Sequence, residues 1–201
     1  MRLETERLII TEFDLSMAES VHKNSLDDDN RRFVPDEVFE NIEEARKTIE
    51  FLMSVYESED GPLVYPVLLK DKTNIGYVQI VPIEEEFEVG YHIASEYTKK
   101  GYATEALKTF LKYVMRNKKI NRVYGICVSE NISSIKVLEK CGFEKNYEGK
   151  GEYQGETRNI VKYIFDASQI CPDATHKRFG MENIMDYGMP TLIENDSLEE
   201  C

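Results

Sequence analysis

The chain of 201 residues carries 25 basic and 38 acidic side chains, a net charge of −13, with four cysteines and no tryptophan. Hydrophobic residues make up 41%, enough to build the core of one domain and too many for a disordered chain. The acidic balance argues against a nucleic-acid surface, and no apolar run approaches the roughly 18 residues of a membrane span. Met1-Arg2-Leu3-Glu4-Thr5-Glu6 lacks the pattern of a secretory leader. The expectation is a cytoplasmic protein, monomer or homodimer, with neither nucleic acid nor membrane as a partner.

In chain order, Arg7 to Phe13 reads as a first strand, and Asp14 is placed to cap a helix running to about Asn24. Asp27-Asp28-Asp29-Asn30 reads as a solvated acidic loop, because it lacks the spaced ligands and distal Glu of a calcium loop. Asn41 with Glu44 forms a capping-box pattern ahead of the helical stripe Ile42, Ala45, Ile49, Leu52, Met53 and Tyr56. Strands are predicted over 63–70 and 75–82 around a polar turn, then over 87–94, completing an antiparallel meander. The helix from Ala103 is the clearest element. Ala103, Ala106, Leu107, Phe110, Leu111, Val114 and Met115 fall on one face without a miss.

A buried strand over 123–128 precedes a short helix over 133–140, with Gly142 as its left-handed stop. Strands over 143–147 and 157–165, around a glycine-containing loop, close the pattern. Residues 167–201 hold seven acids and two bases, leaving −8 on residues 1–166. That segment has no sustained periodicity and reads as an acidic C-terminal extension, partly ordered or a cut-off fragment.

Cys127, Cys141, Cys171 and Cys201 form no C-x-x-C pair, and no histidine stands at metal spacing, so no metal site is expected. Cys127 lies in the apolar run 123–128 and reads as a small buried hydrophobe.

The chemistry concentrates in two segments. In Gly90 to Ala106 a strand ends, a turn with Gly101 follows, and the amphipathic helix starts at once. Free amide N–H groups and the positive end of the dipole make such a start a phosphate or pyrophosphate cradle. Gly101 permits a left-handed turn and close backbone approach, while Lys99 and Lys100 set positive charge beside it in an otherwise acidic chain. The second segment, Asn131 to Phe143, starts a short helix directly after the Cys127 strand.

In this order the two segments resemble the GNAT N-acetyltransferase superfamily, closest to its ribosomal-protein-alanine acetyltransferase (RimJ/RimL-like) branch. The matches are Thr98-Lys99-Lys100-Gly101-Tyr102-Ala103 at the pyrophosphate loop and Asn131, Ser134, Glu139, Lys140, Gly142 and Phe143 in the second segment. The opening Leu3-Glu4-Thr5-Glu6-Arg7-Leu8-Ile9 is similar to the start of that branch, and the likeness covers about residues 1–166. Three positions depart from the pattern. Thr98 replaces a Gln or Arg, Leu138 stands where many members have a proton-donating Tyr, and Asn159 stands where the branch often has Asp.

The resemblance implies a mixed α/β (α+β) fold, a central and mostly antiparallel twisted sheet of about seven strands with about four helices on its faces. It implies acetyl-CoA as co-substrate and a primary amine as acceptor, here a protein N-terminal α-amine or a small amine such as a polyamine or aminoglycoside. A non-catalytic acyl-CoA sensor on the same fold is the rival reading. The cofactor set is Ile93, Lys99, Lys100, Gly101, Tyr102, Ala103, Thr104, Asn131 and Ser134. The Ile93 N–H would polarise the thioester carbonyl, Ser134 would hydrogen-bond the sulfur in place of the missing Tyr, and Glu88 would act as base through water. Tyr91 and His92 point to opposite strand faces, and His92 reads as a packing or surface residue. Residues 22–40 and 148–156 would wall the acceptor.

Overall fold

The computed structural model describes residues 1–58, 61–83, 86–118 and 120–166. The extension read over 167–201 lies outside the described residues. A hairpin of β1 (Arg2–Glu4) and β2 (Leu8–Thr11) opens the sheet. Asp14 then accepts from Ser16 N–H and caps a 3₁₀ turn that runs into α1 (Ala18–Ser25). After α2 (Asp28–Phe33) and a second 3₁₀ turn at Pro35–Glu37 comes α3 (Ile42–Val55). Its cap is the one the sequence signals, with Glu44 N–H bonded to Asn41 Oδ1 at 3.0 Å.

The meander follows as β3 (Leu63–Leu69), β4 (Asn74–Ile83) and β5 (Glu86–Ile93). The long helix α4 (Tyr102–Asn117) crosses over to β6 (Arg122–Val128), which lies parallel to β5. Then come α5 (Ile132–Lys140), β7 (Glu144–Tyr153) and β8 (Glu156–Asp166). The eight strands form one sheet, ordered β1-β2-β3-β4-β5-β6-β8-β7, and every neighbouring pair is antiparallel except β5 with β6.

Each sheet face has its own core. The apolar stripe of α4, Ala106, Leu107, Phe110, Leu111 and Val114, is fully buried against Leu8, Val67, Val78, Val89 and Val123. Burial of this kind is worth roughly 1.5–3 kcal/mol per large side chain, which makes α4 the anchor of that face. The opposite face carries a smaller cluster of Phe13, Ala18, Ile49 and Leu52 beneath α1 and α3. Gly125 has no side chain because Leu138 lies over it; a Cβ there would come within 2.4 Å of Leu138 Cδ2. Leu138 is therefore a core residue at 1% exposure and carries no proton.

Three expectations need correction. The acidic run is not a solvated loop: Asp28–Phe33 is a helix, with Asn30 buried at 4% exposure. The glycine-containing loop is shorter than expected: Gly149-Lys150-Gly151 belongs to β7, and the reversal falls on Gln154 and Gly155, both at positive φ. The strand β1 and the helix α2 were not anticipated and raise the count to eight strands and five α-helices among the described residues.

Candidate active site

The parallel junction leaves a gap. Its register pair is Glu88 opposite Tyr124, and no further pair follows toward the C-terminal ends of the two strands among the described residues. On the other edge of β5, Ala94 N–H bonds Ile75 O at 2.8 Å. In an antiparallel ladder N–H groups alternate sides, so those of Val89, Tyr91 and Ile93 point toward β6 and the gap. The Ile93 N–H thus lies on the unpaired edge, aimed at whatever enters between β5 and β6. In open sheets ligands favour such junctions, beyond the carboxyl ends of the strands.

The gap runs up to the start of α4. Gly101 occupies the N-cap at φ +83 with no side-chain cap, and Lys99 also takes a left-handed φ of +63. A Cβ placed on Gly101 would meet only the Arg7 guanidinium, at 3.6 Å, so the space in front of the cap is open. The first helical bond is Glu105 N–H to Gly101 O, which leaves the amides of Tyr102, Ala103 and Thr104 as free first-turn donors. Lys99 and Lys100 are exposed beside them, the Lys100 ammonium 5.4 Å from the Tyr97 ring centre. Thr98 spends its hydroxyl on its own turn, donating to Ser95 O at 2.9 Å. The sequence did not single out Arg7 for this loop. Its guanidinium donates to Lys100 O at 3.0 Å and to Glu105 Oε2 at 2.7 Å, and lies 4.7 Å from the Tyr102 ring centre. Thr5 Oγ1 donates to the other carboxylate oxygen of Glu105.

On the α4 side of the gap, Tyr91 meets the N-terminus of α5. Its hydroxyl lies 2.9 Å from both the carbonyl oxygen and the Oγ of Ser134. A phenol has one proton, so donation to the carbonyl leaves the Ser134 hydroxyl donating to Tyr91 Oη. Burial pushes the Tyr91 hydroxyl well above the usual phenol range, so it stays protonated. Asn131 caps α5 by accepting from Ser134 N–H at 3.0 Å, so the Ser134 hydroxyl is not spent on the cap. The Cys127 thiol beside it is pushed up to about 11 by burial and is no thiolate at neutral pH.

Glu88 faces the other way, with Gly90 and His92 on the α1 and α3 side. Burial raises its carboxyl to about 7, with Lys162 opposing and Glu37 adding to the rise. Glu37 is the main residue that sequence reasoning missed. It ends the Pro35–Glu37 turn, and burial lifts it likewise to about 7. Its Oε1 accepts from Gln79 Nε2 at 3.1 Å, and its Oε2 is buried without a hydrogen-bond partner among the described residues. Gly90 makes this possible, since a Cβ there would come within 2.4 Å of the Gln79 amide. An isolated glycine inside a strand is the signal that could have revealed the close approach. His92 is 9% exposed, bonds Asn30 Oδ1 through Nδ1 at 2.7 Å, and is lowered by burial to about 4, so it is neutral. It is a packed residue held by α2. Glu88 and Ser134 therefore stand on opposite sheet faces, joined only through the gap between β5 and β6.

The larger surface hollow, about 610 Å³ between Thr11, Lys23, Lys72 and Tyr97, includes none of the predicted site residues. A second cavity of about 130 Å³, whose lining includes Glu37, Gln79 and His92, lies on the sheet face beneath α1 and α3. Among the described residues no cluster of His, Cys, Asp or Glu could hold a metal ion, and no helix is long and apolar enough to cross a membrane.

Residues 7–144 match the family model of the acetyltransferase (GNAT) domain. An uncharacterized N-acetyltransferase of Bacillus subtilis, YnaD, is 28% identical over 148 residues, covering 72% of this chain and 84% of the relative. A GNAT-family acetyltransferase from Bacillus anthracis superposes with a TM-score of 0.72 at 26% identity, over 83% of this chain and 98% of that one. The ribosomal L7/L12 α-N-protein acetyltransferase RimL, solved with coenzyme A, shares the fold with a TM-score of 0.71 at 18% identity, over 83% of this chain and 98% of RimL. The gap, the uncapped helix start and these matches agree: the chain is an acetyltransferase of the GNAT family.

Proposed function

We propose that the protein transfers the acetyl group of acetyl-CoA directly to a primary amine, with a protein N-terminal α-amine as the acceptor class. The observation that carries this is the unpaired edge of β5. It joins an amide cradle at Gly101, a hydroxyl pair at Tyr91 and Ser134, and a buried carboxylate at Glu88. The acceptor class draws on the RimJ/RimL-like motifs at Asn131 to Phe143 and on the likeness to RimL in fold.

In this reading the amides of Tyr102 to Thr104, with Lys99, Lys100 and Gly101, take the pyrophosphate. The pantetheine arm lies in the gap along Ile93, with Asn131 and Ser134 on the opposite wall. The Ile93 N–H donates to the carbonyl oxygen as it gains charge, a contribution of about 3 kcal/mol for one such donor. Glu88 takes the proton that the ammonium sheds, through a water. A carboxyl near 7 is a far better base at neutral pH than one at 4.5. The amine nitrogen then forms the C–N bond and the C–S bond breaks. Ser134 hydrogen-bonds the departing thiolate while Tyr91 turns its proton toward Ser134 Oγ. The second proton released by the nitrogen neutralises the sulfur.

Glu88→Gln is expected to lower kcat about a hundredfold and to remove the rise of activity through pH 7 that the wild type shows. The loss is largest above pH 7, where the wild-type carboxylate is ionised, and smallest below it. Ser134→Ala is expected to lower kcat about tenfold with acetyl-CoA affinity unchanged, as for a contact made mainly in the transition state. Wild-type rates and pH profiles in both variants would remove these roles.

A further inference from the structure

Three observations converge on the sheet face beneath α1 and α3. The cavity of about 130 Å³ is walled by apolar side chains, Phe13, Val21, Ile49, Leu52 and Tyr77 among them, and its polar lining includes Glu37, Gln79 and His92 beside Asn24, Ser25, Asn30, Thr48 and Asn74. Glu37 Oε2 and His92 Nε2 are both buried with no hydrogen-bond partner among the described residues. His92 Nε2 stands 3.4 Å from Asp27 Oδ2, but both Asp27 oxygens already accept from Ser95. Asn30 Nδ2 donates to Ser25 O, so its Oδ1 takes the His92 Nδ1 proton and Nε2 is left as a bare acceptor. Glu37 also lies within electrostatic reach of Glu88. The polar groups thus lead from the apolar cavity through Glu37 to the strand edge beside the gap.

Buried acceptors without donors are costly, and a bound donor relieves them. A carboxylate pair with an unpartnered oxygen fits one ammonium, which supplies both positive charge and N–H groups. The cavity is well below the 300–1,000 Å³ of a pocket for a drug-sized molecule. An apolar cavity of roughly 150 Å³ holds a benzene ring. Asn24, Ser25, Asn30 and Asn74 already donate within the protein, so the space suits one branched aliphatic or single-ring group better than a sugar or a second ammonium.

Resting on the acetyltransferase reading, we infer that the acceptor is a singly charged primary amine with a compact apolar side chain. Glu37 anchors its ammonium beside Glu88, and the cavity under α1 and α3 takes the side chain. The chemistry is shared by a free small amine and by an N-terminal residue of a peptide. Glu37 is then a specificity residue that touches the substrate, and Val21, on α1, sets the depth of the pocket.

The experiment compares kcat/KM for leucinamide, glycinamide, a peptide beginning with Leu, spermidine and glucosamine, by thiol release from acetyl-CoA. Acetyl-CoA affinity is measured in parallel by titration. Leucinamide or the Leu peptide is expected to exceed spermidine and glucosamine by about tenfold or more. Whichever of the two is favoured names the source of the amine. Glu37→Gln is expected to raise KM for the favoured amine about tenfold with acetyl-CoA affinity unchanged, and Glu37→Asp to recover part of it. Val21→Phe is expected to collapse the preference for Leu over Gly, with melting temperature as the check on folding. Spermidine or glucosamine used equally well, or an unchanged KM in Glu37→Gln, overturns the inference. Failure of the wild type to bind acetyl-CoA overturns the acetyltransferase reading itself, and the pocket's role with it.

Discussion

Glu88 and Glu37 show what a buried carboxylate costs a fold. Both are raised to about 7 because burial disfavours the charge. A carboxyl that is raised in the folded state binds more protons there than in the unfolded chain. Stability then falls as pH rises from the unfolded value near 4.5 to about 7. Glu88→Gln is accordingly expected to raise the melting temperature at pH 8 by several degrees and at pH 5 by less. Equal melting temperatures for the two proteins at pH 8 would show that Glu88 carries no buried charge. Glu88 could be singled out in the sequence because it lies within the strand expected over 87–94. Glu37 could not, since it faces the sheet only through the turn at Pro35 and through contact with Gln79, 42 residues away in sequence.

At the scale of elements, the start of β2 holds the start of α4. Arg7 ties Lys100 O and Glu105 together, and Thr5 supports Glu105 from the same corner. The opening segment and the loop segment, nearly a hundred residues apart in sequence, thus meet in one corner. Arg7→Gln is expected to weaken acetyl-CoA binding about tenfold, and Glu105→Gln to add little once Arg7 is gone, as coupled neighbours do. Gly101→Val is expected to abolish binding, because it strains a φ of +83 and fills the open space before the cap. Titrations with unchanged affinity would displace the cradle. The long helices and the meander were readable from periodicity alone. The short elements were not. The helix α2 has six residues, three of them Asp or Asn, and is held by Asn30 to His92 and Asp27 to Ser95, pairings more than sixty residues apart. The exposed edge strand β7 carries glycines that mimic a loop.

Across the whole molecule, one parallel junction in an otherwise antiparallel sheet defines the site. The crossover through α4 brings a helix start, an unpaired strand edge and two faces of side chains to one place. The sheet thereby separates two buried carboxylates on the face beneath α1 and α3 from a hydroxyl pair on the face beneath α4 and α5. The net charge of −8 on residues 1–166 has a local counterpart in the two buried carboxylates, and under the proposed reading such an acidic body would draw a cationic amine toward them. The two lysines at the cradle run against that field where an anionic cofactor would bind. The most direct measurement follows thiol release from acetyl-CoA by the wild-type protein with and without a primary amine, with the product identified by mass. The account predicts amine-dependent release matched one to one by N-acetylated amine. Acetyl-CoA bound with no amine-dependent release would contradict it and mark the chain as a binder rather than a transferase.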